Sequence, residues 1–113
     1  MKFFTFDEAV RLHKEMWTAM QNELGDCPDA DQRTFFKFNY LLKRGYVNEA
    51  GLTNNCFLCE YVFTKFNGSC RGCPVKWPIT NCWTKNENNV SYFLTAPISE
   101  ILALPLRDKR PGE

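Results

Sequence analysis

Four cysteines in the middle of the chain form two C-x-x-C pairs, a spacing typical of a metal site. Cys56 is paired with Cys59 and Cys70 with Cys73, and ten residues separate the pairs. A tight turn aims two thiolates at one point, and a second pair completes a tetrahedron around Zn²⁺. Because four sulfur ligands leave no position for water, the expected zinc ion is structural rather than catalytic.

The fifth nearby cysteine, Cys82, leaves the ligand set open. It could replace one of the four ligands or remain an unliganded thiol beside Trp77 and Trp83. An iron–sulfur centre, a thiol redox site, disulfides and reduced cysteines without metal are the alternatives. Acidic residues begin at Asp7 and interrupt the apolar run that a signal peptide needs. We therefore expect a reducing, cytoplasmic location, where C-x-x-C pairs are metal ligands more often than disulfides.

Two residues outside this cluster could also do chemistry: Cys27 and His13, the single histidine. For Cys27 the expectation is a buried free thiol. His13 falls on the apolar side of the first predicted helix, which favours a core histidine with its hydrogen bonds satisfied. A metal-ligand role or a nucleophile dyad with Cys27 are the alternatives. Since no phosphate-binding glycine loop, nucleophile elbow or HExxH motif occurs, we expect a non-enzymatic protein without a small-molecule substrate.

Residues 61–86 contain basic and aromatic side chains but no acid. Such a mixture can stack bases and contact phosphates, so nucleic acid is one possible partner. This surface is expected within residues 65–93, and its candidate binding residues are Lys65, Arg71, Lys76, Trp77, Trp83 and Lys85. Alternatively, the cations offset the charge of a four-thiolate zinc site and the aromatic residues pack around it. The formal charge of the whole chain is only +1, which does not indicate a general polyanion binder.

A first helix is predicted between two clear signals. Thr5 and Glu8 have the spacing of a capping box, and Gly25 is a stop signal. Between them, apolar residues recur at the spacing of one buried helical face. These residues are Phe6, Ala9, Val10, Met16, Trp17, Met20 and Leu24.

A second helix is predicted from the capping pair Asp29 and Gln32 to the stop signal Gly45. Its expected buried face consists of Phe35, Phe36, Phe38, Tyr40, Leu41 and Leu42. The short connection between the two helices predicts an antiparallel hairpin.

The fold class expected for the whole chain, 1–113, is a single, mainly α domain. It combines the helical hairpin in 1–45, a four-cysteine zinc-knuckle module in 54–84 and a C-terminal helix within 92–105. We expect that last helix to run from Thr95 to Leu104 and the charged tail after it to fray. No stretch is long and apolar enough to cross a membrane.

The cysteine-rich half resembles a family of small proteins encoded in bacteriophage genomes. The likeness covers roughly residues 50–106 and rests on Cys56-x-x-Cys59-Glu60-Tyr61, Cys70-x-x-Cys73-Pro74, Cys82-Trp83 and the Ile98 to Pro105 segment. The resemblance implies an accessory phage protein that acts in the bacterial cytoplasm. Together with the closed metal site and the lack of a catalytic motif, it favours a binding protein that engages or inhibits a host defence or regulatory protein. The N-terminal hairpin is not part of this pattern, so a specialised activity is expected to reside there.

Overall fold

The computed structural model describes residues 4–45, 57–58, 61–62, 72–77 and 92–113. Four helices have defined bounds: α1 (Phe6–Leu24), α2 (Ala30–Lys43), α3 (Tyr92–Thr95) and α4 (Ile98–Ala103). Residues 57–58 and 61–62 are helical as well. Within these ranges there is no strand, only an isolated antiparallel bridge between Val75 and Leu106. The mainly helical class predicted from the sequence is confirmed.

Both ends of α1 are those that the sequence predicts. The Thr5 hydroxyl accepts the backbone N–H of Glu8 at 3.1 Å, and the Glu8 carboxylate accepts that of Thr5 at 3.2 Å. At the other end, the N–H of Gly25 donates to the carbonyl of Gln21 at 2.9 Å. Gly25 has a φ of 86°, a conformation that side chains with a β-carbon rarely adopt. Glycine can therefore close the helix without strain.

The start of α2 is also the predicted one. Asp29 accepts the backbone N–H of Gln32 at 2.8 Å, and the Gln32 side chain accepts that of Asp29 at 3.0 Å. This reciprocal pair satisfies two backbone donors that the first turn of a helix leaves without partners. The helix ends at Lys43, two residues before the predicted stop at Gly45.

The core consists of two clusters that share α1, and the Cα radius of gyration is 13.6 Å. That radius is close to the roughly 13 Å expected for one compact domain of about 100 residues. The first cluster joins α1 to α2 and α4 through Leu12, Met16, Trp17, Met20, Tyr40, Leu41, Phe57, Ala96, Ile98 and Ile101. The second cluster consists of Phe6, Ala9, Val10, Leu58, Tyr61, Val62 and Val75.

The prediction for the buried face of α2 is wrong in half of its members. Phe35, Phe38 and Leu42 are exposed, with 73%, 51% and 50% of their surface accessible. The residues buried in their place include two cations: Arg33 is 0% exposed and Lys37 is 4% exposed. At about 100° per residue, the three apolar side chains lie on the opposite side of the helix from these cations.

The reason for this error is that the α2 sequence does not select a face. Six of the eight residues from 35 to 42 are apolar, so apolar side chains surround the helix. Tyr40 and Leu41 are buried as predicted, and Phe36 packs on the first cluster while half-buried. Tertiary contacts made by Arg33 and Lys37 select the face that turns inward.

The predicted C-terminal helix is divided into two helices at Pro97. Its φ of −54° and ψ of 139° are extended, so α3 ends at Thr95 and α4 begins only at Ile98. The residue before a proline is disfavoured in the helical region, which explains the break at Ala96. Ile98 and Ile101 are buried as the periodicity predicts.

The tail after α4 is anchored, contrary to the expectation that it frays. The Arg107 guanidinium donates to the Glu113 carboxylate at 2.7 Å and to the carbonyl of Gly72 at 2.8 Å. The Tyr61 hydroxyl donates to the other side of the same carboxylate. The backbone N–H of Arg107 also donates to the carbonyl of Pro74 at 2.9 Å. These bonds attach the tail to residues 72–77, which include one of the predicted zinc ligands.

Candidate functional site

Among the predicted zinc ligands, the structure describes Cys73. Its side chain is half-buried and packs against the second core cluster. Cys56, Cys59, Cys70 and the possible substitute Cys82 lie outside the described residues, so the zinc site stays a prediction. Within the described ranges, no three His, Cys, Asp or Glu side chains are close enough together to hold a metal ion.

The predicted basic and aromatic surface is represented by two described residues. Lys76 is exposed, whereas Trp77 is half-buried. The Trp77 ring packs edge to face against His13 and Tyr92, with centroid distances of 6.2 and 6.0 Å. Its indole nitrogen is buried. The other members of that surface lie outside the described residues: Lys65, Arg71, Trp83 and Lys85.

The expectation that Cys27 is buried is wrong. It lies in the connection between α1 and α2 and is exposed, while the next residue, Pro28, is buried. Pro28 is held inside because its carbonyl accepts a hydrogen bond from Arg33, and this leaves the Cys27 side chain on the outer side of the turn.

His13 is buried as predicted, with 2% of its surface exposed. Its Nδ1 atom has no hydrogen-bond partner, so the expectation of a fully satisfied imidazole is wrong. The ring packs between Trp17 and Trp77, whose indoles are not hydrogen-bond acceptors for it. Burial, together with the nearby charges of Lys37 and Lys14, lowers the pKa of His13 to about 3. The imidazole is therefore neutral at physiological pH.

Arg33 lies fully inside the protein on α2. Its Nε donates to the carbonyl of Pro28 at 2.9 Å and its Nη1 to the carbonyl of Phe93 at 3.1 Å. Its Nη2 is buried without a hydrogen-bond partner. Burial lowers the pKa of Arg33, and the charge of the Asp26 carboxylate opposes that shift. Neutral carbonyls thus solvate this guanidinium, and in the described part of the chain it forms no ion pair.

Lys37 lies one helical turn further along the same buried side. Its Nζ is 4.8 Å from the centroid of the Phe93 ring and 5.7 Å from that of Trp17. Each such cation–π contact contributes about 0.5–2 kcal/mol, whereas moving a charge into the interior costs several kcal/mol. No acid of the described ranges forms an ion pair with Lys37. The sequence already indicates that Lys37 lacks an acidic partner on its own helix, since none of the residues three or four positions away is acidic.

The opposite side of α2 presents three large apolar side chains to solvent: Phe35, Phe38 and Leu42. We call these three residues the α2 aromatic face. Beside it runs a groove of about 690 Å³ between α1 and α2. Its apolar lining includes Ala19, Leu24, Phe35, Phe36 and Tyr40.

The groove and its continuation along α1 are more basic than acidic. Four basic residues and two acidic residues line them: Arg11, Lys14, Lys43, Arg44, Glu15 and Glu23. Arg11 and Glu15 neutralise each other across one helical turn, with an N–O distance of 3.0 Å. The Arg44 guanidinium stacks on Tyr40 at 3.8 Å from the ring centroid. The groove therefore combines an apolar floor with a positive rim.

Comparisons with known proteins do not assign a function to either side of α2. Searches of protein-family models, of curated proteins and of solved structures found no match to this chain. None of the described helices is long and apolar enough to cross a membrane.

Proposed function

We propose that this chain is a non-enzymatic binding protein and that a partner protein docks on the α2 aromatic face. The observation that carries the proposal is the exposure of Phe35, Phe38 and Leu42 on a helix that buries two cations. Burying a phenylalanine or leucine side chain contributes about 1.5–3 kcal/mol, a gain that these side chains forgo in the free protein. Exposed apolar patches rimmed by polar residues are typical of interaction sites.

The spacing of these residues suits one mode of recognition. They stand at i, i+3 and i+7 of α2, so they form one continuous stripe along the helix. The adjoining groove offers apolar contacts from Ala19 and Leu24 of α1. A helix stripe beside a groove supports binding of an apolar segment of the partner, with aromatic side chains as the anchors.

The charge of the rim indicates the chemistry of that segment. Lys14, Lys43 and Arg44 line the groove and its continuation with one unpaired acid, Glu23, because Arg11 and Glu15 pair with each other. Complementary charges on the partner would speed the encounter and fix its orientation. The proposed occupant is therefore an apolar segment of another protein that is flanked by acidic residues.

The likeness of residues 50–106 to phage-encoded proteins supports a bacterial host protein as the partner, with inhibition of a defence or regulatory enzyme as the consequence. The zinc module is proposed as structural support, since a closed four-thiolate site has no position for substrate. The docking surface lies in residues 30–45, outside the segment that carries the likeness.

The test is affinity capture with the full chain from bacterial lysate, followed by binding measurements with the purified partner. A variant with Phe35→Ser, Phe38→Ser and Leu42→Ser should lose the captured protein by at least tenfold in affinity. The matched control carries Leu106→Ser, which changes an exposed apolar side chain outside α2 and the groove, and it should bind as the unchanged protein does. The partner's binding segment should be apolar with acidic flanks, and its affinity should fall as salt rises.

Three results would overturn the proposal. The first is equal capture by the unchanged protein and the triple variant. The second is loss of all captured material after nuclease treatment, which would identify nucleic acid as the ligand instead. The third is self-association of the unchanged chain that the triple variant lacks, because a second copy would then be what covers the α2 aromatic face.

A further inference from the structure

We propose that the inner side of α2 is a binding site for a small oxyanion, a phosphate or carboxylate group, held by Arg33 and Lys37 with His13 and Trp77 beside them. This site lies on the opposite side of the helix from the α2 aromatic face and does not depend on the proposed partner. Three features indicate this site: the charge of the buried residues, their buried polar atoms that lack partners, and the contacts that join them.

The first step is the charge balance of the interior. Arg33 and Lys37 are both more than nine-tenths buried, and they lie one turn apart on the same side of α2. Like charges at this spacing repel each other on a helix, and burial strengthens that repulsion. In the described part of the chain, no carboxylate forms an ion pair with either residue, and the one carboxylate whose charge acts on Arg33 is Asp26, which lies beyond ion-pair distance. A buried pair of cations is stable when an anion lies between or beside them.

The second step is the set of polar atoms without hydrogen-bond partners. In the described residues these buried atoms are His13 Nδ1, Arg33 Nη2 and Trp77 Nε1. The guanidinium and indole nitrogens can only donate, and a neutral imidazole can donate through one nitrogen. Buried polar groups in folded proteins are almost always paired, so three orphan nitrogens in one chain need an explanation. An oxyanion accepts several hydrogen bonds at once, so one held by Arg33 and Lys37 would offer acceptors to buried donors of this kind.

The buried cations, His13 and Trp77 also belong to one connected cluster of contacts. Lys37 contacts the Trp17 and Phe93 rings, and Arg33 donates to the Phe93 carbonyl. His13 packs on Trp17 with a centroid distance of 6.4 Å and on Trp77 at 6.2 Å. The positive charge of Lys37 acts on the His13 imidazole. Aromatic rings around the cations exclude water and strengthen their attraction for an anion.

The experiment is thermal unfolding of the full chain in inorganic phosphate, in acetate and in chloride at equal ionic strength. When an oxyanion exceeds its Kd tenfold, we expect the melting temperature to rise by roughly 5 °C relative to chloride. The acetate and phosphate arms show which oxyanion the site prefers. Lys37→Met should remove this rise, while its melting temperature in chloride should equal or exceed that of the unchanged protein because an uncompensated charge is gone.

The matched control is Lys43→Met, which removes an exposed cation from the same helix and should keep the full rise. Phosphate stabilises many proteins without a specific site, so the difference between the two variants decides the outcome. An equal rise in both variants, or no rise above chloride in the unchanged protein, would overturn the proposal.

A second measurement uses the unchanged protein alone, so it does not depend on how the variants fold. His13 is the single histidine, and its NMR resonances report one titration. The charged groups that face it are Lys37 of α2 and Lys14 of α1. Phosphate is the anion for this measurement, because it keeps a negative charge near pH 3 whereas acetate is mostly protonated. Phosphate beside Lys37 offsets that charge, so the pKa of His13 should rise by at least one unit between chloride and phosphate. Identical titration in both solutions would contradict the assignment.

Discussion

Asp26 caps a helix that begins 72 residues later, because its carboxylate accepts two hydrogen bonds from Ser99. The backbone N–H of Ser99 donates to Oδ1 at 2.7 Å, and the Ser99 hydroxyl donates to Oδ2 at 2.8 Å. The carbonyl of Asp26 also accepts the N–H of Ile98 at 2.8 Å. The turn between α1 and α2 thus supplies the N-terminal cap that Pro97 cannot offer to α4.

This capping relationship predicts a long-range effect of a surface substitution. Asp26→Ala should lower the melting temperature by several degrees, because the first turn of α4 loses its acceptors. The hydrogen bonds from Ser99 hold the pKa of Asp26 below its usual value, so this stabilisation is present above that value and is lost as the pH falls below it. Thermal melts at pH 7 and pH 3 measure both effects. Asp108→Ala, at an exposed acid outside this turn, is the control and should change neither melt.

The anchored tail predicts a second pH dependence. The hydrogen bonds from Arg107 lower the pKa of Glu113 from 4.5 to about 2. Because the folded pKa is the lower one, this stabilisation is complete above pH 4.5 and declines steadily toward pH 2. Urea unfolding of the unchanged protein and of Glu113→Gln should give free energies that differ most near pH 6 and converge near pH 2. A difference that is constant across this range would show that the carboxylate charge has no role.

Substitution of Arg107, the ion-pair partner of Glu113, should also destabilise the fold. Arg107→Met should cost about 3–5 kcal/mol of unfolding free energy, because it leaves the Glu113 carboxylate buried without its cation. The double variant with Glu113→Gln should recover part of that loss. Urea titrations of the three variants form a double-mutant cycle. An additive cycle would contradict the coupling that the geometry indicates.

The two sides of α2 should differ in what they contribute to stability. Phe35→Ser and Phe38→Ser should change the unfolding free energy by less than about 0.5 kcal/mol, since both side chains are exposed. Trp17→Ala should cost about 3–5 kcal/mol, because that side chain is buried in the first cluster. Urea unfolding measures all three. A loss above 2 kcal/mol for either phenylalanine would mean that the helix buries the side predicted from the sequence.

The proposed zinc site has its own test. If four thiolates hold Zn²⁺, a strong chelator should lower the melting temperature and the helical circular dichroism signal, because binding energy is then folding energy. Cys56→Ser and Cys73→Ser should have the same effect, and Cys27→Ser, at an exposed thiol, should be nearly silent. Elemental analysis of the purified protein identifies the metal. Melts that do not respond to the chelator would reject a structural zinc ion.

Local signals in the sequence predicted the ends of the first helices well. The capping boxes at Thr5 and Asp29 work through residues three positions apart, so no tertiary information is needed to recognise them. The sequence also predicts the buried face of α1, because polar residues occupy the other side of this helix. The predicted cysteine ligands, apart from Cys73, lie outside the described residues, and that part of the candidate site remains a prediction.

Two of the errors share a physical cause, which is that distant contacts determine the structure at those positions. The burial of the Arg33 side chain depends on the Phe93 carbonyl, which lies 60 residues away in sequence and accepts its hydrogen bond. The anchoring of the tail depends on Gly72 and Tyr61, which no local pattern connects to Arg107. In α2 the apolar residues surround the helix, so their spacing along the sequence does not favour one side of it.

The bonds that hold the C-terminal residues also constrain the order of events during synthesis. They span 35 residues between Arg107 and Gly72, 73 between Ser99 and Asp26, and 102 between Lys109 and Asp7. Contacts so distant along the chain slow folding, because long loops must close before they form. While residues 46–91 are being synthesised, α1 and α2 lack Ile98 and Ile101, so the apolar surfaces that these residues cover are exposed until residues 98–101 have been made.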